Sequence, residues 1–430
     1  MLPNPKVIAA VEKLNHQVTV ADVAAETGLA LPIANRELAN LASLTLGHLV
    51  VSESGEILYK FSPNLRIILL QRSLAARVRE TLKQIWRFVF YLIRISFGIV
   101  LVISIILVFI AIGVALVVIS SSGRQGDSER GGGYRGEWSG GFGGGFWLSP
   151  FDIFWLSYDY DRPRVKETSE PKKSRGFLEN VFAFLFGDGN PNYDLEERRW
   201  RLIAQVIRNH DGVVVGEQIL PYLDEIPPGA LESEDYMLPV LAKFNGYPEV
   251  TPQGGLVYRF PDLQRVASRR PKKEVPVYLE EKRWVFNEAG WGANILSASL
   301  GGLYLGGSLV LGSLLADPVV QAQTTGFLGF IQGIYNFLLG YAILFLTIPT
   351  VRYLWLQWLN RRIQQRNTIR RQRTQLLNQP PVQEKLAFAR QLAIAQTAVA
   401  EEQVIYTTEK SLLQQEFEQL FAGEQLLESA

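Results

Sequence analysis

Residues 95–119 read ISFGIVLVISIILVFIAIGVALVVI and carry no charge. As a helix this run is about 37 Å long, against the ~30 Å of a hydrocarbon core. It lies behind a mixed polar region, which argues against a cleaved secretory leader and for a permanent spanning helix. Two more uncharged runs, 294–316 and 325–348, flank Asp317-Pro318 and predict a membrane hairpin. Three spanning helices account for much of the 47% apolar content of a 430-residue chain whose net charge is only +1.

The charge balance excludes a globally basic nucleic-acid binder and makes any electrostatic specialisation regional. The chain has no cysteine, and its three histidines are His16, His48 and His210. Disulfides, thiolate metal sites, cysteine-ligated iron–sulfur clusters and cysteine nucleophiles are therefore excluded. No metal, cofactor or catalytic residue is expected.

Basic residues collect beside every apolar run. Between Arg66 and Arg94 seven Lys or Arg face one acid, Glu80; from Arg265 to Arg283 seven face Glu274, Glu280 and Glu281; from Arg352 to Arg373 there are seven Arg and no acid. All three flanks favour the cytoplasm-like face. Three simple crossings cannot satisfy them all, so either one flank breaks the rule or a return element follows residue 120. The candidates are 146–158, FWLSPFDIFWLSY, and 177–186, FLENVFAFLF, both short for a crossing and better suited to interfacial or re-entrant placement. Phe151, Phe154, Trp155 and Tyr158 form a helical stripe suited to the headgroup boundary or a partner interface.

Within the hairpin, Gly302, Gly306, Gly312, Gly329 and Gly333 are expected to let helices approach closely, and Gln332 and Asn336, one turn apart, to hydrogen-bond between helices. Beyond it, Arg361, Arg362, Arg366, Arg370, Arg371 and Arg373 are expected over anionic headgroups.

Residues 1–65 predict three helices and a hairpin at Ser54-Gly55, an order that resembles a winged-helix domain. The pattern recurs. Asn15-His16 is echoed by Asn209-His210, Gly47 by Gly246, and Tyr59-Lys60-Phe61 by Tyr258-Arg259-Phe260, with an insertion placed near Pro227-Pro228-Gly229. A second winged-helix-like domain is expected over 195–263. Asn15, His16, Asn209 and His210 read as helix-end caps. Both domains are acidic overall, and the third helices offer only Arg36 and Asn40, then Lys243, as donors, so nucleic-acid binding is disfavoured and protein interaction preferred.

The remaining segments are a basic amphipathic linker helix at 66–94, a Gly-rich linker at 120–145 with no Walker pattern, an aromatic region at 146–194, a basic linker at 264–293, and a 351–430 tail that is basic and then helical. The fold class is an α+β multi-domain integral membrane protein: two winged-helix-like domains, about three transmembrane helices, interfacial or re-entrant helices, and a helical C-terminal tail.

The paired modules, FLFGDGNPNYDLEERRW at 184–200 and the membrane hairpin together resemble a poorly characterised family of cyanobacterial and chloroplast membrane proteins. Some plant members are labelled iron-sulfur-cluster-biosynthesis-like, a role at odds with a chain lacking cysteine. The resemblance implies thylakoid or plasma-membrane placement and an assembly or organising role; the basic flanks place the modules and tail on the cytoplasmic face, with the topology left open. The resulting expectation is a non-enzymatic scaffold or assembly factor with lipid, a protein partner or a homo-oligomer as partners. Its alternatives are a membrane-tethered nucleic-acid-binding regulator and a transporter or membrane enzyme.

Overall fold

The computed structural model describes residues 3–52, 55–72, 74–122, 176–224, 226, 229–267, 272–322, 325–393, 397–398, 404–408 and 414. The main helices are α1 (Pro5–Lys13), α2 (Val20–Thr27), α3 (Leu31–Thr45), α4 (Leu65–Arg72), α5 (Leu74–Ser122), α6 (Phe177–Phe186), α7 (Leu195–Asn209), α8 (Gly216–Ile219), α9 (Leu238–Phe244), α10 (Trp291–Leu315), α11 (Gly326–Arg373) and α12 (Pro380–Leu392). The chain divides into two compact units. One comprises 1–82, 191–283 and 361–430; the other comprises 83–190 and 284–360.

The first unit holds two modules of the same design. In the first, Asn4 caps α1 and a Thr19–Asp22 capping box opens α2, which Gly28 ends at φ 74°. Strands β1 (Gln17–Val18), β2 (His48–Ser52) and β3 (Ile57–Lys60) form an antiparallel sheet in the order β1-β3-β2. In the second, β4 (Val213–Val214), β5 (Tyr247–Val250) and β6 (Leu256–Arg259) repeat that order as β4-β6-β5. The register repeats too: Tyr59 faces Val18 and Leu49, and Tyr258 faces Val214 and Pro248.

Individual hydrogen bonds repeat with the frame. Phe61 N donates to His16 O and Phe260 N to Gly212 O, each at 2.8 Å. Leu46 and Asn245 both adopt φ near +50°, and the following Gly47 and Gly246 back onto the rings of Phe61 and Phe260. Tyr59 OH donates to Asn35 Oδ1 and Tyr258 OH to Glu234 Oε2. One expected match is corrected. The counterpart of Asn15-His16 is Asp211-Gly212, because the backbone here needs two successive left-handed residues and those are the pairs that supply them. The insertion falls after β4 and before Glu234; Pro227-Pro228, where it is expected, lies outside the described residues.

The two modules are not separately cored. Val11, Leu38, Tyr59 and Phe61 belong to the same buried cluster as Ile207, Phe244, Tyr258 and Phe260. Helices α2 and α7 cross closely, so a Cβ on Gly28 would lie 3.0 Å from Arg201 N and Glu197 O. Asp22, 1% exposed, ties the seam by accepting from Arg208 Nη2 at 3.0 Å and from Ala267 N at 2.8 Å.

The tail departs from the helical expectation. Helix α12 lays Val382 and Ala389 on Val213, Val215 and Val257 of the second module. Strand β8 (Thr397–Ala398) then runs parallel to β7 (Arg265–Val266), and β9 (Val404–Thr407) adds to the first module's sheet beside β2. Val404, Ile405, Tyr406 and Thr407 are β-branched or aromatic, and the edge of β2 supplies the backbone partners that a lone helix turn cannot.

In the second unit α5, α10 and α11 are long and apolar enough to cross a membrane. The expected linker 66–94 and spanning run 95–119 are, from Leu74 onward, one unbroken helix. Likewise, α11 continues past Pro349 to Arg373. Helix α6, 10 residues long and so about half a crossing, packs on α10 and on Gly98 of α5. The candidate return element 146–158, with Phe151, Phe154, Trp155 and Tyr158, lies outside the described residues, as does the Gly-rich segment.

Candidate functional site

Three polar clusters carry the unusual chemistry, two in the modular unit and one in the membrane unit. In the first, Lys385 from α12 places Nζ 2.8 Å from Glu217 Oε1 and 2.7 Å from Glu234 Oε1. Burial alone would lower the lysine's pKa, but the two carboxylates outweigh it and hold it above the ordinary value. Burial, reinforced by Glu234, pushes the Tyr258 hydroxyl well up. The result is a fixed ion triad with protonated neighbours, suited to gripping α12 rather than to moving protons.

The second cluster lies where the end of α11 meets the chain before α10. Arg366 donates through Nε to Glu281 Oε1 at 2.8 Å, and Arg370 Nη1 lies 2.8 Å from the same carboxylate. Arg370 also reaches Asp224 Oδ1 at 2.6 Å, and Arg373 donates to the carbonyls of Leu223 and Asp224. Glu281 and Arg370 are 4% and 2% exposed. Burial would raise the Glu281 pKa; hydrogen bonds and charge from Arg366 and Arg370 overcome that and hold it below the carboxylate's usual value. Three of the six arginines expected at the membrane surface, Arg366, Arg370 and Arg373, are therefore turned into protein. A helical spacing of three and four put them on one face, and that face found Glu281 and Asp224. Arg361, Arg362 and Arg371 remain exposed.

Arg36 is exposed on α3. Lys243, the basic residue of the second third helix, sits 4.0 Å above the Trp200 ring, and the edge of the first hairpin is covered by β9. His210 caps α7, its Nδ1 lying 2.8 Å from Val206 O, while Asn209 instead donates to Lys273 O.

In the membrane unit, Gly312 meets Tyr335 as a close approach requires, whereas Gly302, Gly306 and Gly333 face open space and Gly329 is half-buried. The packed face of α10 is the one bearing Leu300, Gly301, Tyr304, Ser308 and Leu311. Gly301 contacts Phe345 and Gly307 contacts Val108, so packing selects glycines adjacent to those expected. Gln332 donates to Val320 O at 3.3 Å while Asn336 is exposed, so the two do not form the anticipated pair. Tyr304 OH donates to Leu338 O, and Tyr341 OH to Phe97 O, supplying the interhelical bonds instead.

The third cluster surrounds Asp188, in the FGDGN turn after α6. It accepts from Glu288 N at 2.7 Å and from Arg94 at 3.4 Å. Arg352 lies 4.1 Å over the Phe286 ring and donates to the carbonyls of Ala183 and Phe286. In the sequence this motif, whose GDGNPNYD from Gly187 lacks the closing acid of a calcium loop, marks the family resemblance. Its signal was an acid in a glycine turn between two basic flanks. Among the described residues no group of three or more His, Asp or Glu is placed to hold a metal ion.

Comparison with known proteins bears on the whole chain. It is 35% identical over 428 residues to "Uncharacterized protein At5g03900, chloroplastic" of Arabidopsis thaliana, covering 95% of this chain and 79% of the plant protein. The chain belongs to the same family. The match spans both units, in keeping with the expected kinship to chloroplast membrane proteins, and the relative's name carries no iron–sulfur label. No protein-family model and no solved structure matches the chain.

Proposed function

We propose that the protein is a non-enzymatic scaffold or assembly factor of the thylakoid or plasma membrane, whose two winged-helix modules act as protein-interaction surfaces. The chloroplastic relative supports the thylakoid choice. The observation that carries the reading is the strand β9 on β2: Thr408 N donates to Leu49 O at 2.9 Å and Leu49 N to Thr408 Oγ1 at 2.8 Å. This hairpin edge binds an extended segment through its backbone, the mode by which many interaction domains capture peptides. The Lys243–Trp200 stack and the acidic balance favour a protein partner over nucleic acid.

The test is purification of the full chain from native membranes, with mass determination after mild cross-linking. A defined complex, with another protein or with further copies of the chain, supports the proposal. A monomer that binds duplex DNA with steep salt dependence overturns it in favour of a regulator.

A further inference from the structure

The Asp188 cluster fixes which ends of the membrane helices lie together. It joins Arg94, where the apolar part of α5 begins, to the residue 286–288 approach to α10, while Arg352, where the apolar part of α11 ends, holds Ala183 and Phe286. The residues next to all three basic flanks, Arg94, 286–288 and Arg352, thus lie together at one end of the unit. At the opposite end, the described residues 113–122 and 316–322 carry Asp317 and no cation. The cluster end is also ringed with exposed aromatics: Trp86, Phe88 and Tyr91 on α5, and Tyr353, Trp355 and Trp358 on α11. Lys83 and Arg87 are exposed among them, and no acid lies between Thr81 and Arg94. These six large side chains in water would be an aggregation surface; in the headgroup layer they form an aromatic belt.

We propose that this end of the membrane unit is one binding surface for anionic lipid headgroups, with Lys83 and Arg87 as its charge contacts and Trp86, Tyr353 and Trp355 as its anchors. The far end, without a cation among the described residues, then faces the opposite leaflet. A topological consequence follows. From Arg94 to Ser122 helix α5 covers about 42 Å, reaching the far end. Yet at α6 the chain is back beside Gly98, where a Cβ would lie 2.8 Å from Leu178 Cα. Phe177 and Leu178 therefore lie at the Arg94 end, so the residues next to all three basic flanks sit at one face, which meets the charge rule that three simple crossings break. The proposal rests on the spanning assignment of the three helices and goes beyond the scaffold reading.

The natural absence of cysteine makes sidedness measurable on the full chain. Single variants Ser62→Cys, Tyr193→Cys, Ser122→Cys and Gln321→Cys are labelled in sealed membrane vesicles with an impermeant maleimide. The expected result is that Ser62→Cys and Tyr193→Cys label from one side and the other two from the opposite side. Labelling of Ser62→Cys and Tyr193→Cys from opposite sides overturns the shared face while leaving the scaffold reading intact. Release of the chain by alkaline carbonate overturns the spanning assignment itself. A second arm measures lipid retained by detergent-purified full-length protein, using anionic and zwitterionic phospholipids of matched acyl chains. Anionic lipid should be preferred, and Lys83→Gln with Arg87→Gln should cut the preference about 25-fold, whereas Arg36→Gln leaves it unchanged. Equal retention of both lipids, or a preference that survives the double substitution, overturns the headgroup surface.

Discussion

The two modules share a backbone frame down to single hydrogen bonds, yet they are finished differently. The first gains a fourth strand, β9, at the edge of β2, whereas the second receives helix α12 across β4 and β6. One residue explains why the strand goes to the first. Leu49 turns its N–H and C=O outward to Thr408; its counterpart across the paired tyrosine is Pro248, which has no N–H to give. The caps diverge in the same way. Thr19 and Asp22 form a charged box that also binds Arg208, while the corresponding Val215 N donates to Gln218 Oε1 at 3.0 Å, a neutral bond. Duplicated backbones therefore leave side chains free to choose the cover and the strength of each copy.

The largest effect should come from the cluster found on the second module's side alone. Glu281→Ala leaves the buried Arg370 with Asp224 as its remaining carboxylate and should cost about 3–4 kcal/mol, read as thermal unfolding of the detergent-solubilised chain. The two clamps should also part company with pH. Glu281 has a folded pKa below 4.5, so its stabilisation is complete above that value and is lost as pH falls through the folded pKa. Lys385 is held above 10.5, so its contribution is complete below that value and is lost as pH rises through the folded pKa. Proteolysis after Leu392 as a function of pH would show α12 released at the alkaline end, and equal release at both ends would contradict this.

Next come the paired glycines. A Cβ at Gly47 would lie 2.9 Å from the Phe61 ring, and one at Gly246 would press closer to Phe260, which is fully buried. Gly246→Ala should cost up to about 3 kcal/mol and Gly47→Ala about 1 kcal/mol. Denaturant midpoints that reverse this order would show that the modules relax differently. Asp22→Asn should cost about 2 kcal/mol, since it weakens a cap and a bridge to Arg208 together, and Gln218→Ala under about 1 kcal/mol. Hydrogen exchange at the first turns of α2 and α8 measures both. Smallest is Pro248→Leu, within about 0.5 kcal/mol in stability. It should nevertheless restore an edge donor, seen as new concentration-dependent self-association.

Where local chemistry decides, the sequence was readable. The apolar runs, the order of helices and hairpin in each module and the Tyr–basic–Phe repeat all depend on residues near one another in the chain. The misread features depend on distant partners. Nothing near Arg366 and Arg370 says that Glu281 will meet them, and VIYT at 404–407 sits among helix formers until β2 offers it an edge. The register of Asn15-His16 failed for another reason: similarity of letters was followed where the constraint was a pair of positive φ angles, which Asp211-Gly212 meets with different side chains. Among the polar clusters, the sequence shows the arginines and the FGDGN turn but not which acids and carbonyls they meet.

The proline at position 248 also sets a valence. A chain with one donor strand and two open acceptor edges could pass its tail from copy to copy in a head-to-tail series that never closes. With the second acceptor disabled and the first filled by the chain's own residues, each molecule is saturated.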